Sequence, residues 1–236
     1  MRQLTIIAAN FLRESRWPVV LLFLWITGGA LLFRGSGAEK TSRDDVLFYL
    51  KQQALYVVVF SLFLAATALH NDRKSRRILL VLSKAVSRAQ YLLALFAGTM
   101  LLALINTAAL TAAGIWLAGH AGVSVAGIGQ FAAIVLCAAS VAASLSLALS
   151  TVLNPFVAAA SAAAVMSLPA ITNTGKQGWA VLVPGQQLVD SLLAFAFQAD
   201  WSANGAAIVI AIAQSALFLL AGALVFARVD IAVASE

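Results

Sequence analysis

The sequence predicts an all-α integral membrane protein with six transmembrane helices, an N-terminal interfacial helix and short outer helices between spans five and six. Three observations predict it. Apolar residues make up 62% of the 236 residues and charged residues only 10%, with a mean hydropathy of +0.96. A soluble domain runs at about 45–50% apolar and about 25% charged, and has no interior large enough to hide this much apolar surface. Lipid as the surrounding solvent lets the outward faces stay apolar. The apolar residues also fall in long runs, and the charges collect in the stretches between them. One compact membrane domain, 1–236, suits a chain of this length.

The elements follow in chain order. Residues 1–16 place Leu4, Ile7, Ala8, Phe11 and Leu12 on one helical stripe, with Arg2, Asn10, Arg13 and Glu14 elsewhere around it. That pattern predicts a helix lying in the membrane interface, or else a simple extension of the first span. Pro18 permits a sharp change of direction into the membrane. Span one, about 17–33, is longer than the apolar core of a secretory signal, about 7–15 residues, and is read as a retained span. Residues 34–45 are polar. Span two is about 46–69, with Lys51, Gln52 and Gln53 in its first turns.

A basic stretch, 70–90, leads to span three at about 91–117. A glycine-rich link, 119–129, leads to span four at about 130–153. Asn154-Pro155 makes a tight turn into span five, about 156–171. Residues 172–204 are mixed, and their apolar part, 188–197, is too short to span and reads as a short outer helix, either interfacial or partly re-entrant. Span six is about 205–227.

Charge sets the orientation. With the N-terminus inside, the inner face holds Arg2, Arg13, Arg16, Arg73, Lys74, Arg76, Arg77, Lys84, Arg88 and Arg228, ten of the fifteen basic residues. The outer face holds Arg34, Lys40, Arg43, Lys51 and Lys176, balanced by Glu39, Asp44, Asp45, Asp190 and Asp200. This asymmetry predicts a multi-pass protein of the cell (inner) membrane with both termini cytoplasmic. It also accounts for the formal charge of +6 without a nucleic-acid partner. The lone Cys137 allows no intrachain disulfide, and His70 and His120 are too far apart in sequence to suggest a metal pair.

No span carries a charged residue in its central turns, which weighs against an ion-driven carrier. Asn106, Thr107, Thr111, Ser144, Ser146, Ser150 and Gln214 are polar but neutral. They suit either a path lining or hydrogen bonds to backbone and neighbouring helices. Small residues in spans four and five, Ala138 to Ser144 and Ala158 to Ala164, predict close packing within or between subunits. The nearest approach to a phosphate-binding loop is Gly175-Lys176. It lacks the first glycine, where Ala170 stands, and Gln177 follows the lysine. The chain is therefore expected to be no enzyme, with no catalytic, cofactor-binding or metal site of its own.

The stretch 70–90 places five apolar residues, Ile78 to Leu82, between two basic clusters. A short amphipathic element on the inner face fits it. Such an element rests on anionic lipid or docks into a groove of a soluble partner. Here Asp72, Ile78, Leu79, Leu80, Leu82, Ser83, Lys84, Val86, Ser87, Arg88, Tyr91 and Leu92 follow a recognisable order. In it the sequence resembles the ABC-2 type permease family, the membrane subunits of one class of ABC exporters. Two departures stand out: Ala85 replaces the usual proline, and Arg76-Arg77 replace the usual Gly-Thr. The ending Phe226-Ala-Arg-Val-Asp230 is similar to the Phe-x-Arg-x-Asp ending common in that family.

The resemblance implies a permease subunit that pairs with a second, identical or related, permease subunit. It implies a dimer of separate ATP-binding subunits on the cytoplasmic face, which would hold the ATP and Mg. Asp72, Leu82, Ser83, Lys84, Ala85, Val86, Ser87 and Arg88 would form the coupling element on the ATPase, and Asn154 and Pro155 a second cytoplasmic contact. Two other readings fit the sequence: a small six-span channel or ion-coupled carrier, and a non-transport subunit that anchors or regulates an ATPase-linked assembly.

Overall fold

The computed structural model of the chain describes residues 9–35, 42–74, 87–121, 124–172 and 201–228. Among them there is no strand. The helices are α1 (Arg16–Gly35), α2 (Arg43–Lys74), α3 (Arg88–Ala121), α4 (Val125–Ser150), α5 (Pro155–Thr172) and α6 (Trp201–Arg228). Helices α2, α3, α4 and α6 are long and apolar enough to cross a bilayer; the apolar stretches Arg16–Leu32 and Pro155–Leu168 are shorter. Residues 1–8, the coupling positions Leu82 to Val86, the apolar stretch 188–197 and the tail from Val229 lie outside the described residues.

Local chemistry sets the helix starts. Ser42 opens α2 with a reciprocal cap: its Oγ accepts from the Asp45 N–H at 3.2 Å, and its own N–H donates to the Asp45 carboxylate at 3.1 Å. Ser124 accepts from the Gly127 N–H and opens α4 at Val125, five residues before the start expected at 130. Asn154 accepts from the Val157 N–H at 2.8 Å, and Pro155 occupies the first position of α5. Proline suits that position, because its missing N–H would have no partner there.

Residues 9–14 are helical and break at Ser15. Pro18 explains the break, since its ring displaces the carbonyl four residues earlier, at Glu14. Phe11 then folds onto α3, so close to Gly98 that a Cβ there would lie 2.7 Å from the Phe11 ring.

Successive helices from α1 to α4 run antiparallel. One apolar cluster joins Ile26 and Ala30 late in α1 to Val46, Tyr49 and Leu50 early in α2, Leu110 and Leu117 late in α3, and Phe131 early in α4. The Tyr49 hydroxyl donates to the Ile26 carbonyl at 2.5 Å, pinning α1 to α2. A second cluster gathers the opposite ends: Leu69 of α2, Tyr91 and Leu95 of α3, Leu147 of α4 and Phe226 of α6.

Helix α4 is the hub, packing on α2, α3, α5 and α6. From Val141 to Leu147 every residue is buried. Its small residues are used inside this chain: Ala142 meets Ala158, Ala159 and Ala162 of α5, while Ala138 and Val141 meet Ala207 and Ala211 of α6. Two polar ties cross the hub. Ser146 Oγ donates to the Leu62 carbonyl of α2 at 2.9 Å, and Ser140 and Ser215 Oγ are 2.8 Å apart. Ser146→Ala is expected to lower stability by about 0.6 kcal/mol, the typical worth of such a bond between membrane helices. Steric-trap or SDS unfolding of the chain in bicelles would measure it.

Candidate functional site

The described ends of segment 70–90 meet at one end of the bundle. Ser87 caps α3: its Oγ accepts from the Gln90 N–H at 3.2 Å, and its N–H donates to Gln90 Oε1 at 3.1 Å. This capping box begins α3 at Arg88, three residues before the start expected at 91. It fixes the direction in which the chain leaves the segment. It also places Arg88 in the first helical position and Tyr91 one turn later on the same face.

Tyr91 is fully buried, and its hydroxyl donates to the Asp72 carboxylate in the last turn of α2. Its ring lies against Phe226 in the last turn of α6, centroids 6.4 Å apart and tilted by 31°. Arg88 reaches the same place. Its Nη1 donates to the Phe226 carbonyl at 2.8 Å and to the Ala227 carbonyl at 3.2 Å, and its guanidinium lies 5.7 Å from the Phe226 ring centroid. Phe226 is fully buried at the centre of these contacts. The ends of α2, α3 and α6 are thereby tied around one aromatic ring.

The electrostatics of this arrangement are unusual within each helix and favourable between them. A cation is disfavoured at the positive N-terminal end of a helix, where Arg88 sits, and an anion at the negative C-terminal end, where Asp72 sits. Arg88 is directed to the carbonyls closing α6, where a cation is favoured. Asp72 accepts a hydrogen bond from the Tyr91 hydroxyl of α3.

Of the coupling positions named from sequence, Asp72, Ser87 and Arg88 are therefore brought into one cluster. Leu82, Ser83, Lys84, Ala85 and Val86 lie outside the described residues. Asn154 and Pro155 open α5, with Asn154 exposed and Pro155 half-buried. Sequence reasoning missed Tyr91, Phe226 and Gln90 as partners. The spacing Ser87-x-x-Gln90 was the legible signal for the cap; nothing local pointed Arg88 at a residue 138 positions away.

Besides the ties between helices, some neutral polar residues of the spans are satisfied locally and some keep a bare acceptor. Thr99, Thr111, Ser144 and Ser150 donate to carbonyls three or four residues earlier in their own helices. In contrast, Gln53 Oε1, Asn106 Oδ1, Thr107 Oγ1 and Gln130 Oε1 are buried acceptors with no hydrogen-bond partner among the described residues. They belong to α2, α3 and α4, in the middle of the bundle and toward the end remote from Phe226. Among the described residues no group of three or more His, Cys, Asp or Glu is placed to hold a metal ion.

Fold and composition together define an all-helical chain of the multi-pass membrane type. No protein-family model matches the chain, and no curated protein matches it.

Proposed function

We propose that the chain is the permease subunit of an ABC-2 type exporter. It crosses the membrane six times with both termini cytoplasmic, pairs with a second permease subunit, and is driven by a separate ATPase dimer docked on segment 70–90. The observation that carries this reading is the Asp72–Tyr91–Phe226–Arg88 cluster. It holds both flanks of a basic amphipathic segment against the ends of three long helices. A flexible surface loop has no need of such a footing, whereas a segment that receives force from a soluble motor does. The resemblance quoted above along 70–92 supports the same reading. The four unpartnered acceptors favour a cargo with hydrogen-bond donors as well as apolar surface, since each such group left bare in a membrane interior costs free energy that a donor recovers.

The test is purification of the tagged full chain, in mild detergent, from the cells that make it. An ATP-binding subunit is expected to co-purify with the wild-type chain. It is expected to be lost when Arg76, Arg77 and Lys84 are replaced together by Glu, with membrane insertion retained. A wild-type chain that repeatedly purifies without an ATP-binding partner would overturn the proposal.

A further inference from the structure

We infer that Arg88, Tyr91 and Phe226 form a relay that makes the inner end of α6 move with segment 70–90, so that the last helix is the moving part of the subunit. The direction of the signal rests on the function proposed above; the mechanical link itself does not.

Three observations carry it. First, Asp72 and Arg88 sit at the ends of their own helices where the helix dipole opposes their charge. Their placement is therefore explained by what they reach across to, and both reach the surroundings of Phe226. Second, the tie is short-ranged and directional. One guanidinium nitrogen serves two terminal carbonyls of α6 while the plane covers the ring of the residue that owns one of them. A hydrogen bond from a charged donor is among the stronger single contacts available. Third, α6 is the least embedded of the four long helices: 17% of its apolar window is buried, against 56–61% for the others. It meets the hub along one face, through Ala207, Ala211, Gly222 and the Ser140–Ser215 pair. A helix packed along one face only, and gripped at its end by a charged donor, shifts along that face when the donor is displaced. Segment 70–90 is anchored to that end on both flanks, through Asp72 by way of Tyr91 and through Arg88 directly.

The test uses the full chain in lipid nanodiscs, with Arg88→Ala, Arg88→Lys and Tyr91→Phe beside wild type. Amide hydrogen exchange in the last turns of α6 is expected to rise about tenfold in Arg88→Ala. It should be partly restored in Arg88→Lys and unchanged in α4 throughout. Unchanged exchange at the α6 end in Arg88→Ala overturns the lock.

Transmission is read separately. A fluorophore is placed at Ala227→Cys in a Cys137→Ser background, and the co-purified ATPase subunit is added with a non-hydrolysable ATP analogue. The wild-type signal is expected to shift, and Arg88→Ala to abolish the shift while the ATPase still binds. A shift retained in Arg88→Ala overturns the relay even if the α6 end frays. If no ATPase subunit binds the wild-type chain, the proposed function fails, and the exchange result alone decides the lock.

Discussion

Gly222→Leu is expected to prevent stable folding of the chain, and Gly222→Ala to weaken it measurably. A Cβ at Gly222 would lie 3.0 Å from Ala148 Cα and 3.1 Å from Ala148 Cβ. The nearest atom is backbone of the hub helix, so relief requires α4 and α6 to separate. Overpacking of this kind costs about 1–3 kcal/mol for a small group. The opposing gain, from replacing glycine within a helix, is about 0.5–1 kcal/mol. The steric term is the larger, so the alanine variant loses stability. A leucine side chain adds three more carbons into the same contact and separates the helices outright. Gly28 is the control: a Cβ there meets nothing within 4 Å, so Gly28→Ala should be neutral or stabilising. Fluorescence-detected size-exclusion after heating, in one detergent, ranks the variants. A Gly222→Leu chain that is monodisperse with unchanged melting would contradict the close α4–α6 contact.

The helices were legible in the sequence because the long apolar runs of α2, α3, α4 and α6 leave little else open to a backbone in lipid. Their starts were less legible, because a polar first turn hides them from a hydropathy reading. Ser42, Ser87 and Ser124 each extend a helix outward by several residues through capping, past the point where apolar residues begin. The small residues of α4 announced close approach but not its partner. The fold answers that Ala138, Ala142 and Ala143 are spent inside the chain, whereas Ala160, Ala163 and Ala164 of α5 face outward.

The candidate site was legible only in part, for a physical reason. Motif spacing reports neighbours along one helix, and it found the segment and its flanking charges. The partners of those charges are set by which helix ends meet in space. Asp72 finds Tyr91 across 19 positions and Arg88 finds Phe226 across 138. The misfit of each charge with its own helix dipole is the one sequence-level sign that a distant partner exists.

That misfit yields the sharpest functional expectation. Arg88→Glu places an acid in the first turn of α3, where the dipole favours it by about 0.3–1 kcal/mol. The start of α3 and insertion into the membrane should therefore be unharmed. At the α6 end the same change removes the donor from the Phe226 and Ala227 carbonyls and puts a like partial charge beside them. If the proposed function holds, the chain should reach the membrane at wild-type level and still bind an ATP-binding subunit. Export should fall at least tenfold, the equivalent of about 1.4 kcal/mol of coupling. Val86→Pro should act through another route with the same outcome. It restricts Ala85 to extended backbone two residues before the Ser87 cap. Parallel measurement of membrane level, co-purified ATPase and export separates the cases. Normal export in both variants would remove segment 70–90 from the coupling path. Lost insertion in Arg88→Glu would show instead that the tie to α6 is needed to build the bundle before it is needed to move it.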